Sequence, residues 1–499
     1  MSKKVERVAV RPKAAFLLQS MRDIGYTFET AVADLIDNSI SAKAKNVWID
    51  AEWRDGEKFV AISDDGNGLG RADLIEAMRL GSADPTASRS ADDLGRFGLG
   101  LKTASLSQCR KFTIVSKTRA GTIAASWDID VAVGAQEENA WDVAISDCTN
   151  GSDDKLLDEL IAKRLKDAKS GTIVLWEKID RPDPMTTHKL GGEQVFTDQL
   201  DSLVEHLDLT YHRFLDPESE KDRVLMFVNG RKMEGFNPFN PKRIATKRPE
   251  PEELTIRHEK ILVTPFVLPH PSMVSAEEYR KYEGKDGYLD NAGFYIYRNK
   301  RLISKGTWFR LVKRTNLTKL LRIQVDIPTS LDALWGVDVR KSKSEVPADI
   351  RAALKTFIEG WEREAKVVYE HRGTKLIEKL QDPLWRRIAN DGAIHYELNR
   401  DNLFLQAILD DLPKAKQRAI LQYLDMAESS FPHTSVMCDL DKSKSTLKAK
   451  ELPSDEVVDL LKQYLEMSGK DLSVDDVLRV GVFHDYPDFV RGFMEGKVE

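Results

Sequence analysis

The stretch Thr27–Ala44, TFETAVADLIDNSISAKA, decides the fold of this chain. Phe28, Val32, Leu35 and Ile36 recur at helical spacing on one side. Asp34, Asn38 and Ser41 fall at i, i+4 and i+7 on the other, with Asp37 beside them. An amphipathic helix with a solvated polar face satisfies that pattern. A carboxylate and an amide one turn apart also suit a second task. Together they can orient a water and hold Mg2+, a hard ion that takes oxygen ligands.

Downstream, Val47, Ile49, Ala51 and Trp53 alternate as a strand, and Lys58–Ser63 forms its partner. That second strand runs into Asp64-Asp65-Gly66-Asn67-Gly68-Leu69. Glycines in such a turn allow close approach of the backbone to a ligand. A carboxylate at the strand end can accept from an exocyclic amine such as that of adenine. By itself an Asp/Gly turn is equally an ordinary connection. Next come Gly95-Arg96-Phe97-Gly98-Leu99-Gly100-Leu101-Lys102-Thr103-Ala104, glycines that open a helical segment, Leu101–Leu106. Backbone N–H groups there form an anion nest, and Lys102 adds a charge. It is neither a dinucleotide fingerprint nor a P-loop. Gly81–Asp93 is small and polar and reads as a lid. Ser170-Gly171-Thr172 opens an apolar strand, Ile173–Trp176.

The chain has 499 residues, 41% apolar and 31% charged, the balance of a globular protein. Its net charge of −6, from 75 basic and 81 acidic residues, disfavours a nucleic-acid coat protein. Cys109, Cys148 and Cys438 stand far apart, which excludes a disulfide framework and a cysteine zinc site. No apolar run reaches the ~20 residues of a membrane span, and the first residues lack a signal-peptide core. The expectation is a cytoplasmic protein.

The order and spacing of these motifs resemble the GHKL (Bergerat-fold) ATPase superfamily: gyrase, heat-shock chaperones, histidine kinases, MutL and the MORC ATPases. The resemblance covers about the first 190 residues. It implies an α/β fold, with an N-terminal Bergerat-type α/β sandwich (1–190) and an α/β transducer-like domain (191–360); the helical pattern that follows reads as an α-helical C-terminal region (361–499) that resembles no named family. The resemblance implies ATP and Mg2+. Asp34 occupies the water-activating position, where the family usually has Glu, and Glu29 stands close enough to assist. Asn38 matches the Mg2+ ligand and Asp64 the adenine-reading acid, with Gly66, Gly68 and Leu69 shaping the pocket. Gly95, Phe97, Gly98, Leu99, Gly100, Leu101 and Lys102 match the phosphate-binding lid. Thr172 resembles the Gly-Thr element near adenine.

In the middle region, Asn291–Arg322 holds nine Lys/Arg, interleaved with Tyr295, Tyr297, Trp308 and Phe309. A solvated charged face accounts for such a run; so does a phosphate-backbone surface, with Arg298, Lys300, Arg301, Lys305, Arg310, Lys313 and Arg314 as candidates. FYIYRNKRLI and VLMFVNGRKM resemble transducer strand–turn–strand units. In that family a transducer Lys reaches the γ-phosphate; Lys341 matches it, with Lys343 second. Asn237–Glu253 reads as an exposed loop, and the chain turns helical after about 350. The lid, the helix and the transducer most resemble prokaryotic MORC-like ATPases, often encoded beside phage-defence or restriction genes. The implied function is an ATP-gated homodimeric clamp on DNA, with an effector or nuclease partner. The alternatives are a non-hydrolysing nucleotide sensor and a chaperone-like ATPase.

Overall fold

A computed structural model of the protein describes residues 13–23, 25–54, 56–81, 100–134, 141–181, 192–269, 274–314, 318–332, 334–336, 346–348, 350–361, 383–390, 393–432, 454–468, 472–478, 480, 483 and 486–495. The chain divides into two compact units. The first gathers Met1–Phe266, Gly293–Val312 and Arg322–Lys355; the second gathers Val267–Ala292, Lys313–Leu321 and Thr356–Glu499.

The first unit is built on an eight-stranded sheet. Its strands are β1 (Asn46–Arg54), β2 (Glu57–Asp64), β3 (Cys109–Thr118), β4 (Gly121–Asp128), β5 (Ala144–Asp147), β6 (Gly171–Ile179), β7 (Leu225–Val228) and β8 (Arg231–Lys232). They lie in the order β5-β4-β3-β6-β2-β1-β7-β8. The pairings are antiparallel except β1 with β7.

Strand alternation sends side chains to two faces. Val60, Ile62, Phe112, Ile114, Val174 and Trp176 meet one core; Phe59, Ala61, Val115, Ile173 and Leu175 meet another. The first core is covered by helices α1 (Ala14–Met21), α2 (Phe28–Ser41), α4 (Gly100–Gln108) and α7 (Gly192–Thr210). Leu74 and Met78 of α3 (Arg71–Met78) and Ile129 and Ala132 of α5 (Ile129–Gly134) join it. Leu157 and Leu160 of α6 (Lys155–Arg164) close the second. This is the expected α/β architecture: a sheet with α2 and α4 lying across it, so that the polar ends of β2 and β6 emerge beside α2.

A second sheet has the order β12-β11-β13-β10-β9, from β9 (Glu252–Ile256), β10 (Glu259–Val267), β11 (Gly293–Arg298), β12 (Arg301–Thr307) and β13 (Leu321–Ile327). Phe239, Phe266, Tyr295, Tyr297 and Leu302 form its core. Tyr297 Oη lies 2.7 Å from His212 Nε2 in a buried contact. The 237–253 segment departs from the exposed loop expected. It is irregular up to β9, yet Phe239 is 1% exposed and stacks on Phe266 at 4.6 Å. Its apolar ring supplies the cover that this sheet needs.

Arg298 also departs from expectation. It was a candidate surface contact, but it is 3% exposed, and its Nε lies 2.8 and 2.9 Å from the two carboxylate oxygens of Asp332. A guanidinium so enclosed holds the end of β11 and cannot reach a nucleic-acid backbone. The interleaved Tyr295, Tyr297 and Trp308 are likewise core residues.

In the second unit Leu403–Asp410, Lys414–Ser429, Ser454–Ser468, Val474–Val477 and Pro487–Met494 are helical. Val457, Leu461, Tyr464, Val477, Phe483 and Val490 form a core. A hairpin, β14 (Trp385–Asn390) with β15 (Ala393–Leu398), interrupts the otherwise helical region. The sequence between its strands is Asp391-Gly392, a strong hairpin signal that the helical reading passed over. Among the described residues no helix is long and apolar enough to cross a membrane.

The buried pair Arg298–Asp332 yields a stability prediction. Asp332→Ala should cost about 3–5 kcal/mol in urea unfolding, because it removes the carboxylate held against a buried guanidinium. Replacing both partners by apolar residues, Arg298→Met with Asp332→Leu, should recover most of it. A loss below ~1 kcal/mol for Asp332→Ala would mean that the pair is solvated after all.

Candidate functional site

Helix α2 organises the site. Thr27 caps it: its Oγ1 accepts from the Thr30 N–H at 3.3 Å, and Thr30 Oγ1 accepts from the Thr27 N–H at 3.0 Å. The helix is buried on most sides, and its polar residues are divided. Asp34 and Asp37 are 2% and 0% exposed, whereas Asn38 faces outward. The polar face read from spacing is therefore mostly covered.

What covers it is specific. Tyr26 Oη donates to Asp34 Oδ2 at 2.7 Å. Tyr211 Oη lies 2.7 Å from Asp37 Oδ1 and 2.6 Å from the Ala33 carbonyl. Arg301, at the start of β12, donates from Nε to Asp37 Oδ1 at 2.9 Å and places Nη2 3.8 Å from Asp34 Oδ1. Arg301 was a candidate nucleic-acid contact; at 2% exposure it is instead the shared cation of two helix carboxylates. Burial pulls its pKa down, but Asp37, Tyr211 and Asp34 outweigh that and hold it above the usual guanidinium value. Burial, with Asp37 beside it, pushes the Tyr211 phenol well up. The first residue of α4 also abuts the pair: a Cβ on Gly100 would lie 3.4 Å from Asp34 Oδ2.

The far side of α2 meets the ends of β2 and β6. Asp64 pairs in register with Thr172. Its carboxylate accepts from Ser39 Oγ and from the Gly66 N–H, both at 2.9 Å. Burial pushes its carboxyl up to about 6, against the pull of the Gly66 and Ser39 hydrogen bonds. Asp65 has another task. It accepts from the Lys45 and Asn46 N–H groups at 2.7 and 2.8 Å and holds the start of β1. Gly66 is demanded by packing, since a Cβ would come 2.9 Å from Ala42 Cβ and from Asp64 Oδ1. Gly68 has φ +67°, and a Cβ there would overlap the Lys117 carbonyl. The Leu69 N–H donates to Ser116 Oγ at 2.6 Å.

Leu101 and Lys102 lie on α4. Lys102 Nζ donates to the Ala77 and Arg79 carbonyls at 2.9 and 2.7 Å, at the C-terminal end of α3. Burial pulls its ammonium down to about 8. Gly95, Phe97, Gly98 and Leu99 of the lid, and Lys341 and Lys343, lie outside the described residues. Lys305, Arg310, Lys313 and Arg314 are exposed, Arg314 pairing with Asp290; Lys300 is half-buried, 2.7 Å from Asp222.

Among the described residues no group of three His, Cys, Asp or Glu side chains gathers as a metal site. Mg2+ does not require one, since it keeps waters and takes substrate phosphates with one or two protein oxygens. The outward-facing Asn38 amide, one turn beyond Asp34, fits that role. Tyr26, Ser39 and Tyr211 were missed from sequence, as was the inward role of Arg301. Only Ser39 carried a signal, as a hydroxyl one residue past Asn38.

Residues 26–172 match the family model for histidine kinase-, DNA gyrase B- and HSP90-like ATPases. A stretch of 88 residues is 31% identical to ATPase morc-1 of Caenorhabditis elegans, which is 18% of this chain and 10% of that protein. The chain thus matches about a tenth of that relative's length. The segment matched by the family model contains Tyr26, α2, β2, α4 and Thr172, so that part of the site lies in a region similar to GHKL-type ATPases, whereas Tyr211 and Arg301 lie beyond it.

The Asp64 carboxyl sets a pH dependence. Its folded pKa of about 6 exceeds the ordinary 3.8. Between those values the folded protein holds a proton that the unfolded chain has lost, so stability falls as pH rises through the window. Above it the burial penalty is complete, about 2–3 kcal/mol. Asp64→Asn should raise the urea midpoint at pH 7.5, and that advantage should vanish by about pH 4. A difference between variant and wild type that is the same at both pH values would show that Asp64 carries no burial penalty.

Proposed function

We propose that this GHKL-type, MORC-like ATPase binds and hydrolyses Mg-ATP, and that nucleotide binding closes two copies into a clamp on DNA. The observation that carries this reading is the Arg301 contact with α2, which ties a strand of the second sheet to the helix bearing the candidate base. A charge that appears at the nucleotide then alters the balance holding Arg301, and β12 responds.

Roles follow from position. The Asp64 carboxylate accepts from the adenine exocyclic amine, with Thr172 beside it. Asn38 holds Mg2+, which supplies charge neutralisation at the phosphate oxygens when bound. Asp34 takes the proton of the attacking water, and Tyr26 orients its carboxylate. Positioning and electrostatics provide most of the acceleration. The exposed Lys305, Arg310, Lys313 and Arg314 offer cations to a phosphate backbone.

One observation favours a second reading, a nucleotide sensor that does not turn over. Asp34 is one methylene shorter than the family's usual Glu, is 2% exposed, and is already engaged by Tyr26. A general base must approach its water to ~3 Å.

Steady-state ATP turnover, with and without duplex DNA, separates the two, alongside ATP binding by calorimetry. Asn38→Ala should abolish Mg-dependent ATP binding. Asp34→Ala should keep ATP binding and lose about 100-fold or more in turnover. Turnover unchanged in Asp34→Ala would remove the base assignment, and tight binding without turnover in the wild type would select the sensor.

A further inference from the structure

A cavity of about 370 Å³ opens in the first unit, away from the Asp34–Asp64 cluster. Lys43, Lys45, Lys221 and Lys300 line it, with Asp222 the one acidic residue among its described lining. Each lysine comes from a different local structure: the end of α2, the start of β1, the segment before β7, and the β11–β12 turn.

Two of these lysines occupy backbone positions that favour glycine. Helix α2 ends in a Schellman motif: the Lys43 N–H donates to the Ile40 carbonyl at 2.9 Å, and the Ala44 N–H donates to the Ser39 carbonyl at 3.1 Å. Lys43 is the left-handed residue of that motif, with φ 63°. Strands β11 and β12 are joined by Asn299-Lys300, with φ 48° and 68°. Two positive φ values mark a type I′ turn, whose second residue is typically glycine. The β7–β8 turn of the same chain has that usual form, Asn229-Gly230. The β9–β10 turn carries Arg257-His258, so a non-glycine pair by itself signals nothing. What singles out Lys43 and Lys300 is that both line the same cavity.

Two of the cations are held in place there. Lys45 Nζ donates to the Lys221 carbonyl at 2.7 Å, and Lys300 Nζ meets Asp222 at 2.7 Å. Among the described lining residues, four lysines and one carboxylate give the recess an excess of basic side chains in an acidic chain. Such a recess fits phosphate groups, because ammonium groups bind them as point charges without demanding a fixed geometry.

We infer that this lysine recess is a phosphodiester site for the backbone of duplex DNA, and that Lys43 and Lys300 stand in for glycine to provide its charge. The inference rests on the DNA half of the proposed function and deepens it. It places phosphate contacts at the end of α2, whose Ala42 carbonyl accepts from the Asn67 N–H in the Asp64–Gly68 turn.

The test is the double variant Lys43→Gly with Lys300→Gly in the full chain. Glycine removes the charges and also suits the left-handed backbone, so the thermal midpoint should hold or rise. Binding of a fluorescent DNA duplex is measured by anisotropy across salt concentrations, without nucleotide. Affinity should fall at least tenfold, and the slope of log affinity against log salt should become shallower by about 2, one per lost phosphate contact. Lys45→Gln with Lys221→Gln should weaken binding in the same direction.

Unchanged affinity and slope in the double glycine variant would overturn the site. If charge reversal at Arg310, Lys313 and Arg314 then weakened binding, the clamp reading would stand with its surface elsewhere. Absence of duplex binding by the wild type would overturn the site and the DNA half of the proposed function together. ATP turnover, measured separately, would then still decide the nucleotide half.

Discussion

One guanidinium holds this molecule's central arrangement. Arg301 is buried against Asp37 at 2.9 Å and reaches Asp34 at 3.8 Å. Two carboxylates within one turn of a buried helix would repel each other and lack solvation. Arg301 between them, with Tyr26 and Tyr211 supplying hydroxyls, makes that burial tolerable. Among the described residues Arg301 meets both anions. Any group that adds or removes charge beside Asp34 must redistribute that contact.

The second constraint is the alternation of β2, β3 and β6. Their side chains serve two cores at once, so the strands cannot slip in register without turning apolar groups into water. That rigidity places Asp64 opposite Thr172 and under Ser39. Glycine at 66 and 68 then reflects how closely the turn packs against α2 and β3. Close approach to a ligand and close approach to the fold itself use the same residue for the same steric reason. The chain thus positions an acceptor at a strand end while keeping it nearly dry.

Charge on this protein is arranged by depth. The basic run from 298 to 322 is not one surface: Arg298, Arg301 and Arg322 are buried on structural partners, while Lys305 and Arg310 face outward. Arg322 donates to the Pro238 carbonyl at 2.6 Å, near the Phe239 that covers the second sheet. The cations that gather in one recess come from four separate places in the chain. A net charge of −6 therefore coexists with a compact positive site.

Sequence alone determined the α/β class, the α2 helix and the β1–β2 pair, and it nominated the residues of the nucleotide-like constellation. Those signals are local: a 3.6-residue period, a two-residue period, and glycines at turns. It also marked Asp34, Asn38, Asp64 and Thr172 as a set, because motif order survives in one dimension. Tertiary structure decided what each polar residue faces. Asp34 and Asp37 lie under Arg301, 264 positions away from Asp37, and no pattern along the chain records that distance. Asp65 holds β1 while its neighbour Asp64 meets Ser39. The lysines at 43 and 300 read as ordinary charges until two left-handed turns bring them to one cavity. Spacing reports periodicity, but burial and charge pairing depend on which distant segments meet, and only the folded chain brings them together.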